Sequence, residues 1–120
     1  HRYACMNGKN ITLAACIFLL MACSVEKKAS KAYRLGKYET AINLYKKTLN
    51  RNPGKANYFI AESYRQSNRL KEAEAYYEKA GGRGFDKDTI QFYYAQSLKF
   101  NGKYAEAAQQ LEQLVSRTAN

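Results

Sequence analysis

The chain has few of the residues on which catalytic and metal chemistry usually depends. Its 120 residues contain no tryptophan, one histidine (His1), and three cysteines, all at or before position 23. The chain after Cys23 therefore offers no thiol or imidazole as a nucleophile or zinc ligand, and no thiol pair for a disulfide. These absences predict a protein that is not an enzyme and that holds no metal.

Phosphate-binding loops and acid–base pairs are also missing. The glycine-rich segment, residues 81–84, has no strand pattern before it and lacks the lysine of a Walker loop, so we interpret it as a turn. Carboxylates such as Glu62, Glu72, Glu74 and Glu78 have helical spacing, which is typical of a solvated helix face. We therefore predict no catalytic residue, no cofactor and no small-molecule substrate.

The chain has no apolar run long enough to cross a membrane. Its longest is residues 11–22, 12 uncharged residues after Arg2 and Lys9, whereas a spanning helix needs about 20. A basic start, a short apolar middle and small residues at the end are typical of a signal peptide, predicted here over residues 1–22. An uncleaved membrane-associated helix with incidental cysteines is the alternative.

Leu20-Met21-Ala22-Cys23 resembles a bacterial lipobox, the motif in which a diacylglyceryl group is attached to the cysteine. Leu13-Ala14-Ala15-Cys16 fits the same pattern, but its use would leave apolar residues 17–22 on the mature protein, so we prefer Cys23. This resemblance implies a lipid anchor at Cys23. Because Ser24 is not the aspartate that retains many such lipoproteins at the inner membrane, it also implies an outer-membrane, periplasm-facing location.

A short sequence motif, which we call the repeated phrase, occurs three times in the rest of the chain, each time centred on an alanine. The alanines are Ala41, Ala73 and Ala107, separated by 32 and then 34 residues. Glycine or asparagine precedes each alanine by five residues, and a large apolar side chain follows it by four. This pattern predicts a turn and then an amphipathic helix, with a small residue where two helices approach closely.

The repeated phrase resembles the tetratricopeptide (TPR) family, whose repeats are helix–turn–helix units of about 34 residues. The resemblance implies an all-α solenoid of six antiparallel helices in a right-handed superhelix, with repeats at about 23–53, 54–87 and 88–120. We expect the tyrosines of the phrase, including Tyr104, to fill the space between helices. We expect Gly81 and Gly82 to form a left-handed helix cap, and Asp86 or Asp88 to cap the next helix. The residues that carry the resemblance are Gly36, Tyr38, Ala41, Tyr45, Pro53, Ala61, Tyr64, Leu70, Ala73, Tyr77, Ala80, Ala95, Gly102, Tyr104, Ala107 and Leu111.

In TPR proteins the first helices of successive repeats line a concave groove that binds another protein. The resemblance assigns eleven residues to this groove, rich in aromatic and basic side chains: Tyr33, Arg34, Lys55, Tyr58, Glu62, Arg65, Gln66, Phe92, Gln96, Lys99 and Phe100. They favour an extended peptide or short helix that carries an acidic group beside an apolar anchor. The alternative is that they are ordinary surface residues and the partner binds elsewhere. Because Ser30 and Glu62 occupy the positions of the asparagines in a chaperone-type carboxylate clamp, a cytosolic chaperone partner is not expected.

A lipobox followed by these repeats also resembles the N-terminal TPR segment of Bacteroidota OmpA-like outer-membrane lipoproteins of the type IX secretion and gliding machinery. The function implied is a non-enzymatic envelope adaptor for protein–protein interaction. Two alternatives stay open: an accessory lipoprotein for outer-membrane protein insertion or pilus assembly, and a TPR spacer that tethers a downstream peptidoglycan-binding or enzymatic domain. The last helix has an apolar face that either packs on another subunit or domain or belongs to a longer protein, and we favour the longer protein. Although 18 basic residues face 10 acidic ones after position 22, their scatter along helices argues against a nucleic-acid partner.

Overall fold

The computed structural model describes the backbone of residues 9–119 and the side chains of residues 13–17, 20, 21 and 23–119. Within that range the chain forms six α-helices and no strand, which confirms the predicted all-α fold. The helices are α1 (Lys9–Arg34), α2 (Tyr38–Lys46), α3 (Pro53–Gln66), α4 (Leu70–Lys79), α5 (Lys87–Phe100) and α6 (Tyr104–Thr118).

Each helix packs mainly against the helix before it and the helix after it in the chain. The result is an elongated stack of three helical hairpins, 55 × 32 × 22 Å in extent, which is the arrangement of a solenoid. The core lies between successive helices and consists mainly of alanine, isoleucine and tyrosine side chains. The alanines of the repeated phrase are all buried, as are Tyr45 and Tyr77.

The two helices of every hairpin are joined by the same kind of turn. The second residue after each first helix is left-handed: Gly36 has φ 75°, Asn68 63° and Gly102 80°. The next amide N–H donates back into the helix, as Lys37 does to the Ala32 carbonyl at 2.9 Å. This is the Schellman arrangement, which satisfies carbonyls at the helix end and reverses the chain within a few residues. It explains why glycine or asparagine opens each phrase.

The expectation that Tyr104 fills a space between helices is wrong. Tyr104 is 68% exposed, whereas Tyr38 and Leu70, at the same position of the first two hairpins, are half-buried. Helices α2 and α4 each pack against the first helix of the next hairpin, but α6 has α5 as its main neighbour within residues 9–119. The apolar face of α6 is exposed for the same reason, with Val115 at its outer edge.

The segment between α4 and α5 also differs in part from expectation. No left-handed cap ends α4, because Ala80 at its end is extended (φ −72°, ψ 150°). Instead, Gly81 crosses closely over the start of α3 and donates to the Gly54 carbonyl at 3.2 Å. A Cβ at Gly54 would lie 2.5 Å from the Gly81 carbonyl oxygen, so this crossing requires glycine. Asp86, one of two candidates, caps α5 by accepting from the Asp88 N–H at 3.1 Å.

The predicted end of the signal peptide falls inside α1, which continues from Lys9 through Cys23 to Arg34. Residues 1–8 of that predicted peptide, and Asn120 at the other end, lie outside the described residues. Within the described range, no helix combines the length and hydropathy that a membrane crossing requires.

Candidate functional site

Helices α1, α3 and α5 are the first helices of the three hairpins and carry all the residues assigned to the groove. The carboxyl ends of α1 and α3 are joined through Gln66, whose Nε2 donates to the Tyr33 hydroxyl at 2.8 Å. The Tyr38 hydroxyl donates to Gln66 Oε1 at 3.1 Å. Both ends of the Gln66 amide are therefore occupied, and this part of the groove is held together by side-chain hydrogen bonds.

Glu62 is buried at the centre of a charged network. Its side chain is 7% exposed and accepts from Arg65 Nη2 at 2.7 Å, from Arg65 Nε at 3.1 Å, and from the Tyr77 hydroxyl. The Arg65 guanidinium also covers the Tyr93 ring, with 4.0 Å between Cζ and the ring centroid. The network thus ties α3 to α4 and α5.

The electrostatics of this network hold both charges in place. Hydrogen bonding to Glu62 raises the pKa of the Arg65 guanidinium above its usual range. Burial, followed by the hydrogen bond to Glu62, raises the pKa of the Tyr77 hydroxyl well above that of a free tyrosine. Because its carboxylate is buried and bonded on both oxygens, Glu62 is not presented to a ligand as a free acid.

Tyr33 and Tyr58 belong to an aromatic cluster that fills the groove floor near α1 and α3. Phe59 is its centre, with ring centroids 5.0 Å from both tyrosines, and Phe85 lies 4.5 Å from Tyr58. Burial raises the pKa of Tyr33 to about 12 and that of Tyr58 in the same direction. Neither Phe59 nor Phe85 was predicted, although the adjacent aromatic pair at 58 and 59 was a usable signal.

The basic groove residues nearest α1, Arg34 and Lys55, are already bonded within the chain. Lys55 forms an ion pair with Glu26 of α1. Arg34 Nη1 donates to the Ser30 hydroxyl at 2.8 Å, one helical turn earlier. The Glu26 pair joins the first two hairpins across the groove.

The residues of α5 are the ones that the groove leaves most open. Phe92 is 42% exposed and Phe100 54%, and Lys99 is exposed beside them. Gln96, one turn after Phe92, is half-buried. Spacings of four and three residues place Phe92, Gln96 and Lys99 in one row on a helix, with Phe100 at its edge. This row combines two uncovered rings with a cation.

Next to this row lies an open hollow of about 470 Å³ at the turn between α3 and α4. Arg69 is bonded there to Glu39 at 2.7 Å and to Glu72 at 2.8 Å, whereas Lys71 is exposed and makes no ion pair in residues 9–119. Sequence reasoning predicted Arg65 and Phe100 at this place but missed the turn residues, because the groove positions of the family lie on helices. The hollow is lined by Arg65, Asn68, Arg69, Leu70, Lys71, Glu72 and Phe100.

Cys23, the predicted lipidation site, is exposed on α1, as is Cys16 two turns earlier. Arg51 Nη2, at the end of the first hairpin, lies 3.7 Å from the Cys23 sulfur. No cluster of three or more His, Cys, Asp or Glu side chains able to hold a metal ion occurs in the described part of the chain.

Comparison with known proteins agrees with this geometry. Sequence models described as tetratricopeptide repeat match residues 26–85 and residues 90–117, which between them take in most of all three hairpins. No curated protein matches the chain. TPR domains generally bind protein partners and generally act as scaffolds without catalytic activity. The helical hairpins, their repeated turns and these two matches establish that the chain belongs to the tetratricopeptide repeat family.

Proposed function

We propose that this protein is a lipid-anchored adaptor of the bacterial cell envelope that holds a segment of another protein in the groove of α1, α3 and α5. The observation that carries the proposal is the open row on α5. Phe92 and Phe100 leave about half of their ring surface in water, with the Lys99 ammonium between them along the helix. Exposed rings beside a charge are typical of a protein-binding surface rather than of a solvated helix face.

The chemistry of the open groups favours an acidic segment. Glu62, the acidic residue among the eleven assigned groove positions, is buried and bonded to Arg65 and Tyr77. The exposed charges near the α5 row that make no ion pair in residues 9–119 are Lys99 and Lys71, and both are positive, whereas Glu72 in the adjacent hollow is paired with Arg69. A ligand with an aromatic or aliphatic anchor and a neighbouring carboxylate would cover a ring and pair with an ammonium.

A binding assay with defined peptides tests the groove. The full chain would be presented with a peptide array in which a phenylalanine or leucine anchor is flanked by glutamate, lysine or serine. We expect the glutamate peptides to bind best, and Phe100→Ala and Lys99→Glu to reduce their affinity about tenfold or more. Lys79→Glu, at an exposed position of α4, is the matched charge control and should bind like the unaltered protein. Equal binding by all four proteins would place the partner site elsewhere.

The proposed anchor is a lipid on Cys23, which holds the domain at the periplasmic side of the outer membrane. The lipobox pattern and the exposure of Cys23 support it. At about 0.8 kcal/mol per buried CH₂, several acyl chains would fix the protein to the membrane for its lifetime. On the resemblance to Bacteroidota OmpA-like lipoproteins, the partner is an envelope protein of a type IX secretion assembly.

Metabolic labelling with palmitate tests the anchor directly. Labelling is expected to disappear in Cys23→Ser and to persist in Cys16→Ser, since both patterns resemble a lipobox and both cysteines are exposed. Labelling lost only in Cys16→Ser would show that Cys16, and not Cys23, is the lipidated residue. The absence of label in every variant would remove the anchor from the proposal and leave the groove unaffected.

A further inference from the structure

The positive charge of the chain is concentrated in its first repeat. Residues 23–53 contain eight basic and two acidic residues, whereas residues 88–120 contain three of each. The two acidic residues, Glu26 and Glu39, are paired with Lys55 and Arg69 of the second repeat. Their charge therefore compensates the neighbouring repeat and not their own.

The eight basic side chains of the first repeat remain uncompensated. All are exposed, and none takes part in an ion pair with a described acidic residue. With eight cations against two acidic residues, the first repeat has a net positive potential at its surface. They are Lys27, Lys28, Lys31, Arg34, Lys37, Lys46, Lys47 and Arg51.

One face of α1 changes from apolar to basic along its length. Spacings of four and three residues place Leu13, Ile17 and Leu20 in a single row that Lys27 and Lys31 continue. All five side chains are exposed. The change occurs at residues 23 and 24, at the position of the proposed lipid. In the uncleaved chain, apolar side chains of α1 therefore precede residue 23 and cations follow it. In the lipidated protein, the acyl chains on Cys23 take the place of those apolar side chains, and the same cations follow.

The end of the first hairpin adds cations near Cys23. Arg51 lies within 3.7 Å of the Cys23 sulfur, and Lys47 is four residues before it. At a rise of about 1.5 Å per residue, Lys27 and Lys31 follow Cys23 by about 6 and 12 Å along α1. We call Lys27, Lys28, Lys31, Lys47 and Arg51 the basic collar.

We propose that the basic collar binds the anionic headgroups of the membrane at which the chain is anchored. The first repeat then lies against the lipid surface, and the electrically balanced third repeat, with its open row on α5, points away toward a partner. The inference deepens the proposed function and rests on it for the anchor at Cys23. A lipid surface fits better than a nucleic acid because the collar directly follows Cys23, the proposed site of acyl chains that insert into a membrane, and a polyanion in water offers nothing into which acyl chains could insert.

Vesicle binding by the full, unlipidated chain tests the collar separately from the lipid and from the groove. Sedimentation would compare vesicles of phosphatidylcholine alone with vesicles that contain 30% phosphatidylglycerol, which sets a known anionic surface. The collar variant is Lys27→Gln with Lys31→Gln and Arg51→Gln. The control variant is Lys79→Gln with Arg83→Gln and Lys87→Gln, which removes the same charge from exposed positions without ion pairs. Circular dichroism verifies that both variants are helical.

We expect the collar variant to bind anionic vesicles at least tenfold more weakly than the unaltered chain, because each charge near such a surface contributes about a fivefold gain. The control variant should lose less than about threefold, and high salt should abolish the difference between the variants. Equal loss in both variants would overturn the inference, since net charge and not the collar would then be responsible. Tighter, collar-dependent binding to a 24-base-pair DNA would overturn the assignment to lipid. Neither result changes the palmitate labelling of Cys23, so the anchor is judged independently.

Discussion

Replacing Glu62 with alanine tests whether the buried network holds the second and third repeats together. The carboxylate accepts two hydrogen bonds from Arg65 and one from Tyr77, and these residues lie on α3 and α4, with Arg65 also covering Tyr93 of α5. In Glu62→Ala the Tyr77 hydroxyl and the Arg65 Nη2 group lose their acceptor, whereas Arg65 Nε keeps the Tyr77 hydroxyl oxygen, to which it donates at 3.1 Å. The substitution therefore leaves two donors unsatisfied as well as removing a contact.

The magnitude follows from the burial of the two partners. An unsatisfied buried hydroxyl costs about 1–3 kcal/mol, and breaking a fully buried ion pair costs about 3–5 kcal/mol. The Arg65 side chain is 27% exposed, so water restores part of its solvation and the pair term is reduced. We expect Glu62→Ala to lower the free energy of unfolding by about 2–4 kcal/mol, a large share of the 5–15 kcal/mol typical of a domain.

Urea unfolding followed by circular dichroism at 222 nm measures this loss. Glu78→Ala is the matched control, because Glu78 is an exposed carboxylate on α4, and it should change the free energy of unfolding by less than about 0.5 kcal/mol. The double variant with Arg65→Ala should cost less than the sum of the two single variants, since the two share one interaction. A Glu62→Ala protein as stable as Glu78→Ala would refute the reasoning.

Three further predictions concern the backbone and the buried tyrosines. Gly54→Ala should destabilise the protein by about 1–3 kcal/mol, because its Cβ would lie 2.5 Å from the Gly81 carbonyl oxygen. In an ordinary helix the same substitution is stabilising. A higher melting temperature of Gly54→Ala would therefore contradict the close crossing. Asn68 and Gly36 both have positive φ. Asn68→Gly should therefore stabilise the protein by about 0.5 kcal/mol, and Gly36→Ala should destabilise it by about 1 kcal/mol, both measured by urea titration. The opposite signs would exclude the shared turn geometry. Stability should fall as pH rises above 10, where tyrosines of the unfolded chain ionise, and the contribution of Tyr33 should be lost by about pH 12, its folded-state pKa. Melting temperatures at pH 9, 10 and 11 check this, and the fall should be shallower in Tyr33→Phe.

Local signals in the sequence were sufficient for the fold. A left-handed residue is needed to end a helix and reverse the chain, and glycine and asparagine supply it with little strain, so three such residues at near-regular intervals indicated three hairpins. Asp86, one of two predicted caps of α5, was found in the same way, from a short side chain that accepts a nearby N–H. These interactions span only a few residues, which is why they can be inferred without coordinates.

The candidate site depended on contacts that spacing alone does not reveal. Family positions assign Glu62 to the groove, but a hydroxyl 15 residues later in the chain and a guanidinium on the same helix hold its carboxylate in the interior. Tyr104 has the same local context as its counterparts, yet it is exposed because only α5 packs extensively against its helix in residues 9–119. Which side of a helix is covered is decided by the next repeat and not by the residue itself.

The distribution of free charge follows from the same dependence on neighbouring repeats. Glu26 and Glu39 pair forward with cations of the second repeat, and Glu74 pairs forward with Lys103 of the third. Of the six ion pairs in residues 9–119, three run forward in this way and three stay within a repeat, so no acidic residue of a later repeat pairs with the cations at the beginning of the stack, where the basic collar lies. A regular scaffold held together by pairs of this direction therefore acquires two different ends: one basic and beside the proposed anchor, the other balanced in charge and carrying the open aromatic row that we propose binds a partner.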